Sequence, residues 1–165
     1  MRIGFGFDAH RLVNDRPLVL GGVRVPHDKG LEGFSDADVL MHALIDAVLG
    51  AAALGDCGTH FPAGEARFAN AHSLKLLELA IGMVRRAGWQ VGNVDCTIVA
   101  ERPALAGHLG AMRAIIANAL QIPEAACNVK AKHTEGLGFT GSGEGMAAFA
   151  VAMLQPSEQT AHEVR

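Results

Sequence analysis

An aspartate and two histidines have the types and the spacing to hold a divalent metal ion. Asp8 and His10 are two residues apart, so in an extended segment both side chains point to the same side. His42 follows on a separate segment and supplies a third ligand. One carboxylate and two imidazoles, with a fourth position left open, are the donors of a catalytic zinc site, whereas structural zinc sites are usually closed by cysteines. The spacing alone leaves the alternative that these histidines are hydrogen-bonded interior residues.

Two acidic residues flank His42 at helical spacing. Asp38 precedes it by four residues and Asp46 follows it by four, so either carboxylate is one helical turn away. A carboxylate in that position can orient the imidazole of a metal ligand. Ordinary solvated helix charges are the alternative for both residues.

Strands and a helix are predicted around the candidate ligands. The alternation over 2–7 predicts a strand with the first ligands near its end, and segments 18–20 and 23–25, around two glycines, predict a hairpin. Ser35 is a favourable N-cap for an alanine- and leucine-rich helix over 39–54. That helix would carry His42 about two turns from its start.

Helices and strands continue to alternate in the rest of the chain. The predicted helices are 73–87 and 106–120, and the predicted strands are 90–101, 128–132 and 145–154. This pattern indicates an α/β protein, in the form of an α+β sandwich with a single layered sheet and helices on one face.

The composition limits the class of protein. The 165 residues are 50% hydrophobic and fit one domain, expected over 1–155, with a polar tail over 156–165. The formal net charge is −3 and there is no run of lysine or arginine, so we expect no nucleic-acid partner and no binding to an anionic membrane. The most apolar stretch, 39–54, is too short to span a bilayer, and the N-terminus has no basic-then-apolar leader. We expect a cytoplasmic protein that binds a small molecule.

The cysteines give no sign of a metal knuckle or a dithiol centre. Cys57, Cys96 and Cys127 are widely separated and include no C-x-x-C pair, and reduced thiols are the expected state in the cytosol. Cys57 has two interpretations, a nucleophile or a small apolar filler, and no local signal supports the nucleophile.

A glycine-rich segment over 134–145 has the composition of a loop that contacts phosphates. Its glycines allow backbone amides to approach an anion closely, and Thr134 and Thr140 add hydroxyl donors. Glu135 within this loop is a natural ligand for a magnesium ion held mainly by substrate phosphates. The segment matches neither a Walker loop nor a dinucleotide fingerprint, and a set of tight turns is the alternative.

Motifs along nearly the whole chain resemble the 2-C-methyl-D-erythritol 2,4-cyclodiphosphate synthase family in both order and spacing. The motifs that carry the resemblance are Arg2-Ile3-Gly4, Gly6-Phe7-Asp8-x-His10, Gly21-Gly22-Val23, Ser35-Asp36-Ala37-Asp38-Val39, Met41-His42-Ala43, Gly50 to Asp56, Phe61-Pro62, Gly92-Asn93-Val94-Asp95, Asn128-Val129-Lys130-Ala131 and Thr134 to Gly141.

The resemblance implies a homotrimer with active sites at its subunit interfaces, acting in non-mevalonate isoprenoid biosynthesis. The implied substrate is 4-diphosphocytidyl-2-C-methyl-D-erythritol 2-phosphate, whose 2-phosphate attacks the β-phosphorus of its own diphosphate, closes the ring and expels CMP. The implied enzyme is therefore a phosphorus-oxygen lyase. Such a transfer needs in-line alignment and cations near the developing charge more than it needs a covalent nucleophile.

The resemblance also implies roles for individual residues. Asp8, His10 and His42 match ligands of zinc or a similar divalent metal, and Glu135 matches a ligand of magnesium or manganese. Phe7 and Phe139 match residues that line an apolar cavity on the trimer axis, where the family can bind an isoprenoid diphosphate. The implied substrate-binding residues are Ser35, Asp56, Cys57, Gly58, Phe61, Glu65, Ala100, Pro103, Ala104, Leu105, Ala106, Lys132, Thr134, Phe139 and Ser142.

The chain departs from the family pattern at several of these positions. Phe34 stands where a histidine with a role in the transition state is usual, and His133 stands where a threonine that contacts phosphate is usual. Ala104 replaces a lysine near the base, Ser142 replaces an arginine at the axial cavity, and Glu65 lies in a less acidic loop. The missing arginine weighs against an axial isoprenoid diphosphate. The alternative function is therefore a catalytically impaired trimeric homologue that binds nucleotide or isoprenoid diphosphates.

Overall fold

The computed structural model describes residues 1–157, which form one mixed sheet with helices against one of its faces. The five strands of this sheet are β1 (Arg2–Asn14), β4 (Lys29–Leu31), β5 (Trp89–Val99), β6 (Cys127–Lys132) and β7 (Gly145–Pro156). Their order is β4-β1-β7-β5-β6, and only β5 and β6 run parallel. A separate hairpin joins β2 (Leu18–Leu20) and β3 (Val23–Val25), as the glycine pair between them predicts.

Three helices cover the inner face of the sheet. They are α1 (Val39–Ala51), α3 (Ser73–Arg86) and α4 (Leu109–Leu120), and two single-turn helices, α2 (Cys57–His60) and α5 (Gly138–Gly141), lie in loops. Helix α1 is buried along nearly its whole surface, against β1 and β7 on one side and α3 on the other. The predicted α/β class with helices on one face is confirmed. No helix within residues 1–157 is long and apolar enough to cross a bilayer.

The sheet leaves an apolar outer face open. In β1 and β7 the even-numbered residues point toward the helices and the odd-numbered residues point away, which is the period of a strand. Five of the outward residues are large and apolar, with exposed fractions between 38% and 68%. This outer face consists of Ile3, Phe5, Phe7, Phe149 and Val151.

Several predicted boundaries were wrong. β1 continues to Asn14, so Asp8 and His10 lie inside the strand and not near its end. Helix α1 begins at Val39 and ends at Ala51, because Ala53 adopts a positive φ of 60°; His42 is therefore in its first turn, not two turns in. Helix α4 begins three residues later than predicted. Of the predicted tail, Pro156 ends β7, and residues 158–165 lie outside the described residues.

The N-cap of α1 is Asp38 and not Ser35, because the Asp38 side chain accepts hydrogen bonds from both α1 and the β2–β3 turn. Its carboxylate is fully buried and accepts from Met41 N at 3.1 Å, from Gly21 N at 2.9 Å and from Gly22 N at 2.7 Å. Both glycines have positive φ, so the β2–β3 turn directs its amides at the start of α1. Burial raises the pKa of Asp38 to about 6, although the hydrogen bonds from these amides oppose the shift.

We expect replacement of Asp38 by alanine to lower the free energy of unfolding by about 3 kcal/mol or more. Each buried N–H that loses its acceptor costs about 1–3 kcal/mol. Asp38→Asn should lower the free energy of unfolding less than Asp38→Ala does, because one side-chain oxygen remains as an acceptor. It should still cost some stability, since the new NH₂ group faces a backbone N–H donor. Urea denaturation of both variants tests this, and a loss below about 0.5 kcal/mol in each would show that the carboxylate does not join the hairpin to α1.

Candidate metal centre and active site

Two glycines on β1 bring the strand close enough to α1 for its side chains to reach His42. A Cβ added at Gly4 would lie 2.0 Å from the Ala47 carbonyl oxygen, and one at Gly6 would lie 1.9 Å from that of Ala43. Only glycine allows such an approach. Because Asp8 and His10 continue the same inward-facing row, they point toward the first turn of α1, where His42 lies.

The three predicted ligand atoms form a small triangle. Asp8 Oδ2 lies 3.0 Å from His10 Nε2 and 3.0 Å from His42 Nδ1, and the two nitrogens are 3.3 Å apart. A tetrahedral ion with bonds of about 2.0 Å separates its ligands by about 3.3 Å, so the triangle fits such an ion. Among residues 1–157 these three form a group that can hold a metal ion. The prediction that they come together is confirmed.

The hydrogen bonds on the far side of each ring show which atoms face the centre of the triangle. His10 Nδ1 lies 2.6 Å from the Glu32 carbonyl oxygen, which can only accept, so Nδ1 carries hydrogen and a neutral ring presents the Nε2 lone pair. His42 Nε2 lies 3.0 Å from Ser73 Oγ and 3.2 Å from Ser35 Oγ, which leaves Nδ1 facing inward. Three electron-pair donors at this separation repel one another unless a cation lies among them.

The pKa shifts of Asp8 and His10 indicate the same preference for a positive charge at the centre of the triangle. Partial burial would raise the pKa of Asp8, but the contacts with His10 and His42, whose inward nitrogens donate and carry charge only when the rings are protonated, outweigh it and hold the pKa well below its usual range. Burial would lower the pKa of His10, but the hydrogen bond to Asp8 and the carboxylate charge raise it. All three side chains keep between 14% and 25% exposure, so the centre opens toward solvent on one side.

Neither acidic neighbour of His42 on the helix orients its imidazole. The Asp38 carboxylate caps α1, and Asp46 Oδ1 accepts from Cys57 N at 2.7 Å. The groups that contact His42 Nε2 are the hydroxyls of Ser35 and Ser73. Sequence reasoning identified Ser73 only as the start of a helix, because no local pattern joins it to a residue 31 positions away.

A cavity of about 130 Å³ adjoins the open side of the centre. Of the predicted residues, Phe34, Ser35, Cys57 and Phe61 line it together with the two histidines. Burial raises the pKa of Cys57 to about 12, so its sulfur is a protonated thiol at neutral pH, which argues against a nucleophile. Phe61 packs edge-on against Phe68, with 5.5 Å between ring centroids.

The predicted nucleotide segment lines a different and larger cavity. This cavity has a volume of about 440 Å³ and shares no lining residue with the cavity beside the metal centre. The predicted residues along it are Ala100, Pro103, Ala104, Leu105, Ala106, Lys132 and His133. Within one chain, therefore, the candidate metal centre and the predicted nucleotide segment line separate cavities, and His133 does not line the cavity of Phe34.

The glycine-rich loop is held by Glu101, which sequence reasoning missed. The Glu101 carboxylate accepts from Thr134 N at 2.8 Å and from Gly136 N at 3.3 Å, and these bonds lower its pKa. Glu135, between them, adopts a positive φ of 53° and exposes its side chain, with Oε1 3.2 Å from His133 Nδ1. Glu135 therefore does not belong to the Asp8, His10 and His42 group, and its carboxylate faces solvent beside His133.

The remaining predicted residues do not line either of these two cavities. Asp56 caps α2 through a 2.7 Å bond from Thr59 N, and Gly58 is in that helix. Glu65 is exposed and pairs with Arg67 at 2.6 Å. The last two, Phe139 and Ser142, are in or next to α5.

Comparisons with known proteins place the chain in a family of enzymes. Residues 1–155 match the model of the YgbB family, so the chain belongs to that family. A relative from Trichlorobacter lovleyi, named 2-C-methyl-D-erythritol 2,4-cyclodiphosphate synthase, is 55% identical over 156 residues, covering 94% of this chain and 99% of the relative. The resemblance drawn from the motifs is therefore confirmed.

Two solved structures match the fold. The bifunctional IspDF from Campylobacter jejuni is 43% identical with a TM-score of 0.92, over 96% of this chain and 43% of that one. A CDP complex of IspF from Plasmodium falciparum is 30% identical with a TM-score of 0.82, over 95% of this chain and 97% of that one.

Proposed function

We propose that this protein converts 4-diphosphocytidyl-2-C-methyl-D-erythritol 2-phosphate to 2-C-methyl-D-erythritol 2,4-cyclodiphosphate and CMP, in non-mevalonate isoprenoid biosynthesis. An oxygen of the 2-phosphate attacks the β-phosphorus. The bond from that phosphorus to the bridging oxygen breaks, and CMP leaves with the oxygen. The observation that carries the proposal is the triangle of inward lone pairs on Asp8, His10 and His42, in a chain 55% identical to a synthase of this name.

Asp8, His10 and His42 would hold zinc or a similar divalent metal through one oxygen and two nitrogens. When bound, this ion supplies a Lewis acid for a phosphoryl oxygen. The chain contributes the geometry: the β1–α1 contact fixes the distances, and the Glu32 carbonyl orients the His10 ring. The exposed side of the triangle leaves room for a substrate oxygen as a further ligand.

The glycine-rich loop would hold the second ion and the diphosphate. We assign Glu135 to magnesium or manganese, because its carboxylate is exposed on the glycine-rich loop and carboxylate oxygens are natural ligands for an ion held mainly by substrate phosphates. Glu101 keeps that loop in place through the amides of Thr134 and Gly136. The cytidine would lie in the cavity of about 440 Å³ along 100–106, and the CDP bound to the Plasmodium falciparum relative supports a nucleotide ligand.

A homotrimer would unite the candidate metal centre with the nucleotide segment. One chain separates its metal centre from its nucleotide segment, and the outer face presents large apolar side chains that water would otherwise cover. Packing the outer faces of three chains together buries this surface.

An isoprenoid diphosphate near Phe139 is still a prediction from the resemblance. Ser142 weighs against it, because its hydroxyl donates to Glu144 at 2.8 Å and replaces a cation. The cytoplasmic location is also still a prediction.

We expect light scattering to give the mass of three 17.2 kDa chains. Phe149→Asp, in the middle of the outer face, should dissociate the assembly, because a carboxylate would be buried without a partner. Leu79→Asp is the matched control, since Leu79 is similarly exposed but lies on α3, away from the outer face. A monomer in the wild type, or a trimer of Phe149→Asp, would contradict the proposed interface.

Phe34 favours a second candidate, a trimeric protein that binds the nucleotide without turnover. It places an apolar ring beside the metal centre where the family usually has a donor. Incubating the protein with the cytidyl diphosphate substrate, zinc and magnesium, and measuring CMP, separates the two functions. The enzyme should release CMP faster than an Asp8→Ala/His42→Ala variant does, and equal rates would leave only the binding function.

A further inference from the structure

A buried serine joins the metal centre to a carboxylate outside it. Ser73 is fully buried at the first position of α3, and its Oγ lies 3.0 Å from His42 Nε2. The same hydroxyl donates to Asp36 Oδ1, while Ser73 N donates to Asp36 Oδ2 at 2.9 Å. Asp36 thus accepts from both groups of Ser73 and caps α3 from another segment, where a negative charge is favourable.

The number of hydrogens on these groups determines which atom donates in each hydrogen bond from Asp36 through Ser73 to His42. A serine hydroxyl has one hydrogen, and an ionised carboxylate can only accept, so the Ser73 hydrogen is committed to Asp36. The Ser73 oxygen therefore has only lone pairs for His42, and Nε2 must donate to it. Ser35 Oγ, at 3.2 Å, accepts from Ala37 N and can share the same Nε2 hydrogen. A neutral His42 ring with hydrogen on Nε2 presents the Nδ1 lone pair to Asp8 and His10.

We propose that Ser73, oriented by Asp36, is a positioning residue that holds His42 in the tautomer and ring orientation needed to bind the metal. This inference rests on the proposed metal site. It adds a function for two residues that are not themselves metal ligands. Outer hydrogen-bond partners of a metal-binding histidine typically change metal affinity by about 10- to 100-fold when they are removed.

The test is the zinc affinity of the purified protein, measured by competition with a chelator. Ser73→Ala should raise the Kd for zinc by about 10-fold or more, and Ser73→Thr, which keeps the hydroxyl, should restore most of the affinity. Asp36→Asn should also weaken binding, because an amide NH₂ facing Ser73 Oγ frees the hydroxyl to donate to Nε2. Lys75→Ala, on the same helix but exposed, is the control and should bind zinc like the wild type.

A second measurement separates positioning from loss of structure. Nitrogen-15 NMR of the metal-free protein, above the titration range of its histidines, should show hydrogen on Nε2 of His42 in the wild type and in Lys75→Ala. Ser73→Ala and Asp36→Asn should both shift this tautomer population toward Nδ1. Unchanged zinc affinity and an unchanged tautomer in either folded variant would overturn the inference. A wild type that binds no zinc would instead overturn the proposed function.

Discussion

Replacing His42 with alanine should lower the rate of CMP release by at least about 10³-fold. A metal ion that stabilises developing phosphoryl charge is worth several kcal/mol, and each 1.36 kcal/mol is about tenfold in rate. His42 supplies one of only two nitrogens in the triangle and contacts both other ligands. Without His42, Asp8 and His10 are the only two donors left in the triangle, and two are too few to hold zinc at low concentration.

His108→Ala is the matched control for this variant. His108 precedes α4, on a part of the chain outside the metal centre, and its removal should leave both turnover and zinc content unchanged. Circular dichroism checks that both variants are folded. Zinc retained at wild-type stoichiometry in His42→Ala, with activity within tenfold of the wild type, would contradict the assignment of His42.

Replacing Phe34 with histidine should raise turnover by about 10²-fold. Phe34 lines the cavity beside His10 and His42 and is 39% exposed, so an imidazole in its place fits and points a donor into the site. One oriented donor at a developing charge is typically worth about 10²–10³ in rate. The Phe34 carbonyl accepts from Asn70 N at 3.0 Å, a backbone bond that the substitution leaves intact.

Phe34→Leu distinguishes the added donor from a simple change in size. It shortens the side chain but offers no hydrogen bond, so it should leave the rate of CMP release close to that of the wild type. Steady-state kinetics on the three proteins gives the comparison. Equal rates for the histidine and leucine variants would show that Phe34 does not occupy the position of a catalytic donor in this chain.

Local sequence patterns predicted the elements whose conformation depends mainly on residues close to them in the chain. The glycine pair of the β2–β3 turn and the alternation of β1 and β7 depend on neighbours in sequence, and these predictions were correct. The N-cap of α1 depends on tertiary contacts. Ser35 and Asp38 are both good caps, and Asp38 prevails because the amides of a distant hairpin also need its carboxylate. No short-range rule could rank the two.

The sequence likewise predicted the ligands of the candidate site but not the residues that hold them in place. Two-residue spacing placed Asp8 and His10 on one side of a strand, and His42 required only that a helix cross that strand. The positioning pair Asp36 and Ser73 was missed because 37 residues separate its members. Glu101 was missed for the same reason, since the loop that it holds lies 33 residues further along the chain.

The proposed trimer would account for the separate cavities that the candidate metal centre and the predicted nucleotide segment line within one chain. Within one chain Glu135 projects from its loop beside His133, and the nucleotide segment lines its own cavity. Sequence motifs report which residues belong to a site, and they do not report which copy of the chain supplies them. The assembly state is therefore a necessary part of the proposed mechanism.

Turnover in water enriched in oxygen-18 tests the central claim most directly, because the proposed reaction takes no oxygen from solvent. The 2-phosphate oxygen forms the new bond and CMP keeps the bridging oxygen, so mass spectrometry should find both CMP and the cyclodiphosphate without label. Activation of water by the metal centre would instead open the diphosphate by hydrolysis. One solvent oxygen in CMP, or in an uncyclised 2,4-bisphosphate product, would contradict the account.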